Sequence, residues 1–163
     1  MGTLTGAILL ASTSRLAGFT YGTMGRGRVD CTQLTYGILL DVYGAPAMSQ
    51  HPALMVYDRD RPWSPVEGAV AAGIGTEVNE PTPGRWHLCQ GWQRLTQAGH
   101  VPEEKGSNGH AWLWYQPETP TGLRGYIVQA TTTPPPWCTR RTWSDQCSRF
   151  PAGVHLAELR PIT

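Results

Sequence analysis

Charge is scarce in this chain. Only 15% of its 163 residues are Asp, Glu, Lys or Arg, and the formal net charge is +1. That balance, with neither a basic run nor an aromatic RNA-stacking motif, excludes the electrostatic footprint of a nucleic-acid binder. Long hydrophobic runs are missing too, and no stretch approaches the ~20 apolar residues of a membrane span. The apolar segment Gly6-Ala7-Ile8-Leu9-Leu10-Ala11 is brief and has no basic stretch before it, so it reads as part of a first helix and not as a secretory leader. Cysteine is sparse, at four residues, and none falls in a C-x-x-C or H-E-x-x-H spacing. No metal or other cofactor is therefore expected. Internal repeats and heptads are absent.

Turn formers and indole rings, by contrast, are plentiful: 19 glycines, 14 prolines and seven tryptophans. A chain of this length can bury one substantial core. The composition suits a single domain over 1–163 with a loop-built cleft.

The segment Gly27-Arg28-Val29-Asp30-Cys31-Thr32-Gln33-Leu34 carries the strongest local signal. Asp30 has N-cap chemistry, Gln33 follows at capping-box spacing, and Leu34, Ile38, Leu39 and Tyr43 recur with helical period up to Gly44. Cys31 is thus expected in the first helical turn, where free amides and the helix dipole stabilise a thiolate. The plain alternative is a small buried side chain that only fills space.

Farther along, Gly84 to Gln93 reads as a strand with Trp86, Leu88 and Gln90 on one face and His87, Cys89 and Gly91 on the other. Asn108 to Tyr115 and Gly125 to Thr131 read as two more, joined by a loop containing Pro117, Pro120 and Gly122 and paired antiparallel. Alternation puts His110 on a face with Trp112 and Trp114, and Gln129 on one with Ile127 and Gly125. Suitable pairing would let Gln129 hold His110. Cys31, His110 and Gln129 would then supply a nucleophile, a general base and a group that orients the imidazole.

In their order along the chain these stretches resemble the NlpC/P60 superfamily of papain-like cysteine peptidases. The residues that carry the likeness are the Ile8–Leu16 helix, Tyr21-Gly22, Asp30-Cys31-Thr32, Pro83-Gly84, Gly109-His110 and Val128-Gln129-Ala130, spanning roughly residues 7–131, with 132–163 as an extension packing on the same domain. Several positions depart from the family pattern. Thr32 and Gln33 replace small residues, Trp112 is bulky where the family has a small one, Arg85 replaces an Asp, and Gln129 replaces the commoner His.

The resemblance implies an α+β fold, with N-terminal helices packed on a central antiparallel sheet. It implies amide hydrolysis of peptidoglycan stem peptides through Cys31, His110 and Gln129, with Tyr21 and Trp112 near substrate or oxyanion. It also implies action in the periplasm or cell wall after synthesis in the cytoplasm, as a phage-associated lysin, a virion component or a delivered toxin, whose delivery or immunity partner the sequence does not name. Two other functions are compatible with the chain: a papain-like glutamine deamidase using the same Cys-His-Gln set, or a non-enzymatic cell-wall-binding or tail module in which the seven tryptophans carry binding.

Three further expectations concern the periphery. Val66 to Ile74 resumes a helical pattern after a proline-broken segment in which His51 and Trp63 are more simply packing residues than substrate contacts. Cys138 and Cys147 are spaced so that a bridge could close in an oxidising compartment. The tail, through Val154, Leu156 and Leu159, reads as a lid or edge strand.

Overall fold

The structure, a computed structural model, describes residues 3–16, 20–21, 28–29, 31–44, 65–92, 109–118, 124–129, 138–151 and 153–162. In chain order the elements are α1 (Leu4–Leu16), β1 (Thr20–Tyr21), β2 (Arg28–Val29), α2 (Cys31–Tyr43), α3 (Pro65–Ala71), β3 (Gly75–Val78), β4 (Trp86–Trp92), β5 (Gly109–Tyr115), β6 (Arg124–Val128), β7 (Cys138–Thr142), α4 (Trp143–Cys147) and β8 (Gly153–Leu159). Strands β3 to β8 form one antiparallel sheet in the order β3-β8-β4-β5-β6-β7, and β1 pairs with β2 in a separate parallel ribbon. The architecture is mixed α+β, as expected. None of the described helices is long and apolar enough to cross a membrane.

Each face of the sheet has its own core. On one side Leu88, Leu113, Val128 and Leu159 meet Ile8 and Ala11 of α1, Leu34, Ile38 and Leu39 of α2, and Ala69 of α3. On the other, Cys89, Trp112, Trp114, Ile127 and Leu156 pack with Phe150, and Trp143 lies against them. Odd and even positions of β5 therefore enter different cores, as a period of two requires. The faces expected for β4 hold: Trp86 and Leu88 lie with the helices, and Cys89 lies opposite.

Local chemistry sets the boundaries. α2 begins at Cys31 and ends where Gly44 takes φ 89°, its N–H returning to the Leu40 carbonyl at 2.9 Å. That is a left-handed residue closing a helix. Before β4, Arg85 N–H donates to the Thr82 carbonyl across Pro83-Gly84, with Gly84 at φ 74°; proline then left-handed glycine is the sequence of a type II turn. In α1, Ile8, Ala11 and Ser12 form the buried stripe, whereas Leu9 is exposed. One residue is a rotation of about 100° on a helix, enough to carry Leu9 off the stripe.

Two expectations about the tail change. β8 is neither lid nor edge strand: it lies between β3 and β4 and pairs with both. Leu156 is buried on the aromatic side and Ala157 and Leu159 on the helix side. The shift from even to odd apolar positions marks a strand covered on both faces. The Cys138–Cys147 bridge is not formed either, since Cys147 is a free thiol. Strand β7 carries the chain away from Cys138 before α4 begins.

Candidate functional site

β5 and β6 pair with Leu113 against Val128 and Trp114 against Ile127. Continuing this register sets Gln129 opposite Trp112 and diagonal to His110 on the same face, within reach of a long side chain. The two side chains meet there: His110 Nε2 lies 2.8 Å from Gln129 Oε1. Gln129 is 5% exposed, so its amide is oriented by protein and not by solvent.

The imidazole is walled by aromatic rings. It stacks on Trp112 at a centroid distance of 5.8 Å and on Phe150 at 5.7 Å. Phe150 can reach it because β4 has glycine at position 91, opposite His110: a Cβ there would come within 2.6 Å of the Phe150 ring. Gly125 does the same for Trp114, whose ring occupies the place a Cβ would take. Trp112, expected beside substrate, is fully buried, and its indole forms the back wall of the imidazole.

Burial pushes the half-buried His110 down to about 4; the Gln129 hydrogen bond opposes the shift and the Arg141 charge adds to it. At neutral pH the ring is therefore uncharged, with one nitrogen able to accept a proton.

Cys31 occupies the position expected of it, the first residue of α2, and is 7% exposed. Asp30, its expected cap, and the Tyr21 hydroxyl lie outside the described residues, as do His51 and Trp63. The Tyr21 backbone pairs with Val29, two residues before Cys31. At its other end α2 is tied down by Tyr43, whose hydroxyl donates to the Arg160 carbonyl at 2.6 Å, just beyond the end of β8. That end of β8 lies beside the Trp86 end of β4 and hence the Tyr115 end of β5. Cys31 is at the helix end remote from this anchor, and His110 at the strand end remote from it. The structure thus joins His110 to Gln129 directly. Cys31 stands on the helix whose Leu34, Ile38 and Leu39 cover the opposite face of the sheet.

The other described thiols are poor nucleophiles. Burial raises Cys89 well above its usual range, with Cys147 nearby adding to the effect, and burial raises Cys147 as well. A thiol that resists ionisation is inert. Among the described residues no group of three or more His, Cys, Asp or Glu side chains could hold a metal ion.

Sequence reasoning did not reach Gln146 and Arg141, which continue the polar chain behind Gln129. One signal was available. Thr142-Trp143-Ser144-Asp145 has the Thr-x-x-Asp spacing of a helix start, and Thr142 Oγ1 indeed accepts from Asp145 N–H at 3.1 Å. The inward aim of Gln146 depends on where that short helix docks, which no local pattern encodes.

Comparison with protein-family models, curated proteins and solved structures gave no match.

Proposed function

We propose that this protein is a thiol-dependent amide hydrolase, with Cys31 as nucleophile, His110 as general base and then general acid, and Gln129 as the residue that orients the imidazole. The observation behind this reading is the 2.8 Å contact between His110 Nε2 and Gln129 Oε1. An amide oxygen can only accept, so Nε2 carries the hydrogen and Nδ1 presents a lone pair. A neutral imidazole in that tautomer is the form a general base requires.

The thiol must reach Nδ1 around the starting end of β5, since the two residues are borne on opposite sides of the sheet. The imidazole rests uncharged, as the depressed His110 requires. The proton passes to Nδ1 as sulfur bonds to the carbonyl carbon. The oxyanion is met by the Cys31 backbone N–H at the start of α2, and the likeness to NlpC/P60 peptidases assigns the second-donor role to Tyr21. Collapse to the thioester returns the proton to the departing amine, and water activated by the same imidazole then releases the acid.

The proposed substrate is the peptidoglycan stem peptide, on the strength of the likeness to NlpC/P60 peptidases in motif order. The test is digestion of purified sacculi by wild-type protein and Cys31→Ala, with released fragments identified by mass spectrometry. Stem-peptide fragments from wild type alone are expected. Equal release from both ends the reading, and ammonia release from a protein substrate without cleavage replaces it with deamidation.

A further inference from the structure

The hydrogen bonds behind Gln129 run in one direction only. Gln129 Oε1 accepts from His110 Nε2 and also faces Gln146 Nε2 at 3.4 Å, while Gln146 Oε1 accepts from Arg141 Nη1 at 2.9 Å. Gln146 is completely buried and Gln129 nearly so. Two amides in series could in principle be flipped together, reversing every donor and acceptor. Arginine forbids it: a guanidinium has five N–H donors and no acceptor. Gln146 must turn its oxygen to Arg141, and therefore its NH2 to Gln129. Gln129 must answer with oxygen, and His110 is left with the hydrogen on Nε2.

We propose that Arg141 and Gln146 are positioning residues that, acting through Gln129, dictate which nitrogen of His110 carries its proton. The inference takes its purpose from the hydrolase reading, because Nδ1 must be bare to receive the thiol proton. Its geometry stands independently of that reading.

Arg141 is itself well placed to act as the anchor. Its side chain is 24% exposed, so the charge stays partly hydrated, and Asp145 Oδ2 lies 4.0 Å from Nε. The same carboxylate lies 3.9 Å from Arg149 Nη2. The Thr142 cap holds the first turn of α4, the helix that delivers both Asp145 and Gln146. The segment beyond residue 131, an extension in sequence, thereby reaches into the candidate site.

The experiment is nitrogen NMR of the full chain labelled at histidine, at pH 7, where each ring nitrogen reports whether it bears hydrogen. Wild type is expected to show His110 at least 90% as the Nε2–H form. Gln146→Glu keeps the shape but offers only acceptors, drawing the Gln129 NH2 toward position 146 and its oxygen away from the ring. At least half of His110 should then convert to Nδ1–H. Arg141→Met, which removes the anchor from the more accessible end, should give a mixture, and Arg141→Lys, again donor-only, should restore the wild-type signal.

Retention of more than 90% Nε2–H in Arg141→Met overturns the proposal, as does the same result in a folded Gln146→Glu. If Gln146→Glu does not fold, the Arg141 pair decides alone. A wild-type Nε2–H signal that responds to these variants in a protein inactive on sacculi would remove the hydrolase reading and leave this inference in place. Full hydrolysis with an unresponsive tautomer would do the reverse.

Discussion

The two faces of the sheet are built from different materials. Beneath α1, α2 and α3 the core is mainly aliphatic, Ile8, Leu34, Ile38, Leu39, Leu88, Leu113, Val128 and Leu159, with one aromatic cluster where Trp86 meets Tyr115 and Tyr126. The other face is paved with Trp112, Trp114, Trp143 and Phe150, and it carries His87, His110 and Gln129 among them. Aliphatic side chains fill space without fixing direction. Rings and amides fix direction, because stacking and hydrogen bonding are both angular. The helix face holds the sheet together, and the aromatic face holds particular atoms in particular orientations.

Adjacent residues of β5 offer the sharpest way to break this division. Trp112→Ala should cost about 3–5 kcal/mol and Leu113→Ala about 2–5 kcal/mol, both read by urea unfolding. Only Trp112→Ala should also move the His110 titration upward, by letting water reach the ring. A matching shift in Leu113→Ala would show that the faces are not separate.

Acid sharpens the comparison next. Below an ordinary 6.5 the unfolded chain binds a proton at His110, whereas the folded protein refuses it until about 4. Stability from this group is therefore complete above about pH 6.5 and is lost as pH falls toward 4, by at most about 3 kcal/mol at 1.36 kcal/mol per unit. His87 adds in the same direction. Burial lowers it, and its Nε2 accepts from Thr82 N–H at 2.9 Å while Nδ1 faces the Trp114 carbonyl at 3.3 Å. Protonation would break the Thr82 bond. Denaturant midpoints measured from pH 7 to pH 4 should fall, and replacing His110 with Gln should flatten part of the slope.

Gly91→Ala should cost about 1–3 kcal/mol by forcing Phe150 off the strand, and should loosen the wall of His110 in its NMR spectrum. Thr142→Ala is the smallest expected effect, about 1 kcal/mol from loss of a helix cap. Its consequence should concentrate on α4 and on the Gln146 contact, visible in hydrogen exchange.

Sequence made the helix face and the His110 strand legible because each is written locally. Cys31 to Gly44 has a helical period and a left-handed terminator, Pro83-Gly84 is turn chemistry, and Trp86 to Trp92 is a short run that starts directly after that turn. Alternation assigned His110 and Gln129 their faces, and the β5–β6 register, which alternation does not give, sets their diagonal meeting. The tail was less legible, since Val154, Leu156 and Leu159 do not keep one parity. A strand with both faces covered has no polar side to mark it, and only its partners β3 and β4 reveal its place. Gly75–Val78 carries little local signal, being a four-residue strand that follows closely on α3. Gln146 illustrates the same limit in the site: burial and Arg141 give a lone glutamine its meaning, and both arise from tertiary packing.

The most direct test of the proposed chemistry is the turnover rate of His110→Ala on sacculi, beside wild type and Gln129→Ala and with folding verified by circular dichroism. Loss of about 10²–10⁴-fold is expected for His110→Ala, the usual contribution of a positioned general base, with a smaller, partial loss for Gln129→Ala. Wild-type turnover in His110→Ala would contradict the account, because an imidazole held in one tautomer would then be serving the fold and not the reaction.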